Sequence, residues 1–113
     1  IPKEILDSNK KIKLEFLKTF WEDEGSITMD GRLMADQKNK NIINQLIELH
    51  KEFGLEFKIC RYEEHTGYMY KIYLSKSKEN LNNFFKLNLF DKSVVTHGNN
   101  IGKKKLDVLK SFI

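Results

Sequence analysis

The spacing of hydrophobic positions changes period several times along the chain, and each change marks an element. Ile12, Phe16, Leu17, Phe20 and Trp21 recur on one helical face, predicting a helix over residues 10–24 with Glu15, Lys18 and Glu22 on its solvated side. Ser8 or Asn9 is placed to cap its start, and Gly25 to stop it as a C-cap glycine does. From Ser26 the period drops to two. Residues 26–29 and 32–37 flank Asp30-Gly31, the strongest local hairpin signal in the chain, with Ile27, Met29, Leu33 and Ala35 turned inward. Ile42, Ile43, Leu46, Ile47 and His50 restore the helical period and predict a second helix over 39–53, ended by Gly54. His50 on that stripe reads as a partly buried core residue. Residues 55–63 alternate Leu55, Phe57 and Ile59 inward against Lys58, Cys60 and Tyr62 outward. A turn over 64–67 leads into 68–74, where Tyr70, Ile72 and Leu74 face inward. A third helix is predicted over 75–86, capped by Ser75 or Ser77, with Leu81, Phe84 and Phe85 as its apolar side. A loop over 88–100 and a last helix over 102–113, carrying Leu106, Leu109 and Ile113, complete the chain.

Two hairpins that each keep a polar face predict an α+β domain with one four-stranded antiparallel sheet and its helices on one face. The outward face would carry Ser26, Thr28, Arg32, Met34, Asp36, Lys58, Tyr62, Lys71 and Tyr73. Strict alternation turns Arg61 inward, though its long side chain near a strand end reaches the edge. Such a mixture donates to phosphates, hydrogen-bonds base edges and packs on thymine methyls, and a twisted β-ribbon fits the major groove. Glu56, Glu63 and Glu64 restrict that contact to part of the face, because phosphate repels them.

Composition narrows the partner class only slightly. At 113 residues the chain is one domain, and a net charge of +4 gives a mild bias toward polyanions. Cys60 is the single cysteine, which excludes an internal disulfide and a cysteine-rich zinc site and fits an intracellular setting. No apolar run approaches the roughly 18 residues of a membrane span, and no secretory leader is visible. A first residue of Ile1 leads us to expect an excised or processed piece. Residues 98–103 fall one position short of a phosphate-cradling loop and lack its hydroxyl residue. His65 and His97 have no metal-ligand spacing around them, and Cys60 has no neighbour in sequence that would activate it.

The end of the first helix carries the most specific chemistry. At roughly 100° per residue the centre of the apolar stripe next emerges at position 24, where Glu24 stands instead of a leucine. Glu22, Asp23 and Glu24 together crowd a helix C-terminus that already carries partial negative charge, a placement that a divalent cation would relieve.

Residues 17–25, followed by Ser26-Ile27, resemble the signature helix of LAGLIDADG homing endonucleases, letter for letter in length, with Glu24 on the acid before the terminal glycine. The resemblance implies the fold α-β-β-α-β-β-α over nearly the whole chain. It implies Mg²⁺ held at Glu24 beside Gly25, and a basic residue near the active site, at Lys103 or Lys104. It also implies pairing of signature helices through Phe16, Leu17, Thr19, Phe20 and Trp21, in a homodimer or with a second repeat, on double-stranded DNA. Residues 1–6 resemble the segments that link tandem repeats in the family, as though a partner domain had been removed. Lys18 and Thr19 stand where the family has a small pair, so Lys18 is expected to point away from the helix seam. Met34 stands near the place where relatives carry a water-organising polar residue. A cleavage-inactive descendant that binds DNA or RNA, as a regulator or maturase, is therefore the alternative function.

Overall fold

The computed structural model describes residues 1–28, 32–65, 67–75, 77–90 and 104–112, the side chain of Leu106 apart. The expectations for Met29, the Asp30-Gly31 turn, Thr66, most of the 88–100 loop, Lys103 and Ile113 lie outside the described residues. The elements run α1 (Lys3–Leu6), α2 (Lys10–Asp23), β1 (Gly25–Ile27), β2 (Leu33–Gln37), α3 (Lys40–Lys51), β3 (Phe57–Glu64), β4 (Gly67–Leu74), α4 (Lys78–Lys86) and α5 (Lys105–Lys110).

Local chemistry accounts for the helix starts. Asn9 accepts from the Ile12 amide, Asn39 from those of Asn41 and Ile42, and Ser77 from that of Asn80, so each satisfies donors that a first turn leaves orphaned. Of the caps weighed from sequence, Asn9 and Ser77 hold and Ser8 and Ser75 do not. Gly54 ends α3 at a positive φ of 76°, where a side chain would be strained. The turn α1 was not anticipated: Pro2 sits just ahead of it, where its missing N–H costs nothing.

The four strands form one antiparallel sheet in the order β1-β2-β4-β3. Its register sets the two faces. Gly25 pairs with Ala35 and Ile27 with Leu33; Ala35 also pairs with Ile72, and Phe57 pairs with Leu74, and all of these residues are buried. Between them, Ser26 pairs with Met34, Met34 with Tyr73 and Tyr73 with Lys58, while Asp36 pairs with Lys71 and Lys71 with Cys60. No residue of that second set is fully buried. One face is thus core and the other is open, as the alternation predicts.

The core joins the buried sheet face to Leu17 and Trp21 of α2, Ile43, Leu46 and Leu49 of α3, Phe84 of α4, and Val108 and Leu109 of α5. Trp21 is its centre, edge-on to Phe84 at 4.9 Å between centroids and to Phe90 at 5.8 Å. Its Nε1–H donates to His50 Nε2 at 2.9 Å, while His50 Nδ1 lies 2.6 Å from the Leu46 carbonyl. A carbonyl only accepts and an indole N–H only donates, so the imidazole is neutral with its proton on Nδ1. The sequence expectation of a core histidine holds, and the burial is complete rather than partial.

The core also corrects the expected helix seam. Leu17 and Trp21 are fully enclosed within the subunit, because their stripe faces the sheet, and their side chains are not available to a partner. Phe16 and Phe20 are half-buried against the same core, and only Thr19 of the five is exposed. The open strip of α2 consists instead of Ile12, 45% exposed, with Glu15, Thr19 and Glu22 at successive turns. The β3–β4 hairpin runs past the helical layer, leaving Ile59 40% and Tyr68 52% exposed on what is elsewhere the core side. No helix among the described residues is long and apolar enough to cross a membrane.

Candidate nucleic-acid and metal site

The corner between α2 and β1 is built around a glycine, for a reason the sequence did not suggest. Gly25 does not take the left-handed conformation of a C-cap glycine; positive φ among the described glycines belongs to Gly54 and Gly67. It is buried, and a Cβ at this position would stand 2.8 Å from the Trp21 carbonyl and drive into the Trp21 ring. Close approach, rather than handedness, requires the glycine. The chain therefore leaves α2 tightly against Trp21. Glu24, the C-cap residue, is held there by its amide on the Phe20 carbonyl at 2.8 Å, with its side chain exposed.

A second clamp comes from the far end of the chain. Lys105, the first residue of α5, is buried, and its Nζ donates to the Gly25 carbonyl at 2.6 Å. The ammonium also lies 5.4 Å from the centre of the Phe90 ring. Burial lowers its pKa below the ordinary lysine value, which marks a charge held in a poorly solvated place. The sequence reading expected Lys103 or Lys104 beside the site. Lys104 is exposed, and Lys103 lies outside the described residues. The lysine that reaches the corner is Lys105, because Val108 and Leu109, three and four residues on, put position 105 on the buried face of α5. That spacing was the available signal.

As a metal site, the corner offers the exposed Glu24 carboxylate as its hard oxygen donor, next to Glu22 and Asp23 in sequence. The Gly25 carbonyl, expected beside the metal, is engaged by the Lys105 ammonium, whose charge disfavours a cation on the same oxygen. Among the described residues no three His, Cys, Asp or Glu side chains gather into a metal cage. Mg²⁺ nevertheless binds through one or two carboxylates with substrate phosphates and waters completing its shell. The Glu24 carboxylate is chemically suited to that mode.

The open sheet face gathers most of the expected nucleic-acid residues. Arg32, Met34, Lys58, Lys71 and Tyr73 line a cleft of about 520 Å³ together with Cys60, Ser75 and the apolar Leu33, Leu74 and Leu81. Cys60 was expected outward but assigned no role; parity with Lys58 and Tyr62 already placed it there. Beside the cleft, Tyr62 reaches diagonally over β4 and its hydroxyl donates to Asp36 Oδ1 at 3.1 Å. Lys71 Nζ stands 5.3 Å from the Tyr62 ring centre. Desolvation first, then the hydrogen bond to Asp36, raise the Tyr62 phenol above its ordinary pKa, so it stays protonated and donating.

Three of the expected contacts are drawn elsewhere. Arg61 lies on the opposite face, paired with Tyr70 and stacked on Tyr68 at 4.5 Å, where the overhanging hairpin leaves it exposed. Ser26 turns its hydroxyl onto the Met34 carbonyl at 3.4 Å, and Thr28 accepts from the Arg32 amide at 2.9 Å to close the mouth of the first hairpin. Gln37 accepts from the Lys38 amide through its side-chain oxygen at 2.9 Å. Compared with family models and with curated proteins, the sequence matches none of either.

Proposed function

We propose that this chain is one subunit, or one repeat, of a LAGLIDADG-type, Mg²⁺-dependent endonuclease that cuts double-stranded DNA. The observation that carries the reading is the corner at residues 24–25. Burying a lysine is costly, and the fold spends that cost on the carbonyl directly after an exposed carboxylate. The same corner opens the sheet whose outer face holds the cationic cleft.

In this account Arg32, Lys58 and Lys71 neutralise phosphates and set the register of the duplex on the sheet. Tyr73 and Met34 supply apolar surface for base edges and methyl groups. Glu24 provides the charged oxygen at the scissile phosphate. Lys105 acts as a positioning residue: its hydrogen bond fixes the Gly25 peptide and with it the direction in which Glu24 projects. Mg²⁺ bound there would polarise the phosphodiester and lower the pKa of a bound water. The strip Ile12, Glu15, Thr19 and Glu22 is the surface of α2 left open to a second copy. Lys18 adjoins that strip, its Nζ 3.8 Å from Glu15 on the same helix.

The second reading is a binding module that no longer cuts, and Met34 in the cleft with Gln37 folded onto its own turn favours it. Incubating the protein with a library of duplexes in Mg²⁺ and in Ca²⁺ separates the two. A sequence-specific double-strand cut in Mg²⁺ that Glu24→Gln abolishes supports the nuclease. Binding with no cut in either ion supports the module, and absence of duplex binding refutes both.

A further inference from the structure

An exposed carboxylate in the middle of a cationic face needs an explanation. Asp36 lies directly opposite Lys71 in the sheet and adjoins the cleft lined by Arg32 and Lys58. If this face met only phosphates, that carboxylate would be repelled by them. It is instead oriented: the Tyr62 hydroxyl holds Oδ1 from two strands away, and among the described residues Oδ2 makes no protein hydrogen bond. A braced acceptor on the open face is placed to take a donor from a ligand.

We propose that Asp36, braced by Tyr62, reads the exocyclic amine of a cytosine in the major groove of the bound duplex. This rests on the nucleic-acid reading of the open face. Of the four base edges in the major groove, guanine offers N7 and O6, and thymine offers O4, all acceptors that a carboxylate rejects. Adenine offers one amine beside the N7 lone pair, which stands against the charge. Cytosine presents its N4 amine with no acceptor on its own major-groove edge. Asp36 therefore contributes by excluding bases as much as by attracting one. Tyr62 is a positioning residue: its proton is committed to Asp36, so it orients the carboxylate and donates nothing to the base.

The test is base-by-base selection from a randomised duplex library, in Ca²⁺, with the full chain and its Asp36→Ala and Tyr62→Phe variants. The wild type enriches cytosine at one position of the site by about five- to a hundredfold over the other bases. Asp36→Ala loses that preference while preferences at other positions persist, and Tyr62→Phe weakens it at the same position only. A cytosine preference unchanged in Asp36→Ala overturns the assignment while leaving the DNA-binding reading standing. Binding with no base preference at any position does the same. Failure of the wild type to bind duplexes overturns both.

Discussion

Acid unfolding through His50 is a prediction that follows directly from the packing. His50 is fully buried, and its neutral form is required by Nε2, which accepts from Trp21, while Nδ1–H donates to the Leu46 carbonyl in either charge state. Burial lowers its pKa from 6.5 to about 4, against a smaller opposing effect of the Leu46 carbonyl. A depressed histidine pKa means that the unfolded chain takes up the proton first. The stability it represents is complete above about pH 6.5 and is lost as the pH falls toward 4. At about 1.4 kcal/mol per pH unit, the loss by pH 4 is about 3 kcal/mol. That is a large fraction of the roughly 5–15 kcal/mol that holds a domain together. Carboxylates add their own acid sensitivity, so the quantity to measure is the difference between wild type and His50→Gln, which cannot titrate. Urea unfolding followed by the fluorescence of Trp21, the single tryptophan, should show that difference shrinking by about 3 kcal/mol between pH 7 and pH 4. Should His50→Gln not fold, the imidazole resonance of the wild type titrates near pH 4 in the same account. Equal losses in the two proteins, or an imidazole titrating near 6.5, would refute the reasoning.

Two further changes probe the corner itself. Gly25→Ala forces a methyl group against Trp21 and should cost about 1–3 kcal/mol in urea unfolding, with the Trp21 fluorescence altered in the folded state. Lys105→Met keeps the aliphatic stem but leaves the Gly25 carbonyl unpaired, which should cost about 1–3 kcal/mol. It should also slow cleavage in Mg²⁺ while duplex affinity in Ca²⁺ is retained, a split that a purely structural lysine would not produce.

The strands were legible in the sequence because a two-residue period is short and the open face is polar; Ile72 and Leu74 against Lys71 and Tyr73 leave no other register. The caps Asn9 and Ser77 followed for the same local reason, each acting within its own first turn, whereas Asn39 was read as the first residue of its helix and is its cap. What stayed hidden depends on contacts between distant segments. Lys105 looked like part of a solvated lysine run until α5 was laid against β1, 80 positions away in sequence. Gly25 was readable as a helix stop but not as a close approach to Trp21. The resemblance implied a seam with a partner at Leu17 and Trp21, and their apolar stripe by itself does not say which surface covers it. Arg61 shared the polar character of the open face but has the opposite parity, and parity prevails in mid-strand.

The central claim is that the Glu24 carboxylate is the metal-binding, cutting group of a DNA-binding subunit. A plasmid bearing a selected site tests it most directly, incubated with wild type and Glu24→Gln at matched folding stability. The wild type should linearise the plasmid in Mg²⁺, and Glu24→Gln should bind the same site yet cut at least about a hundredfold more slowly. Cutting by Glu24→Gln at the wild-type rate would contradict the account.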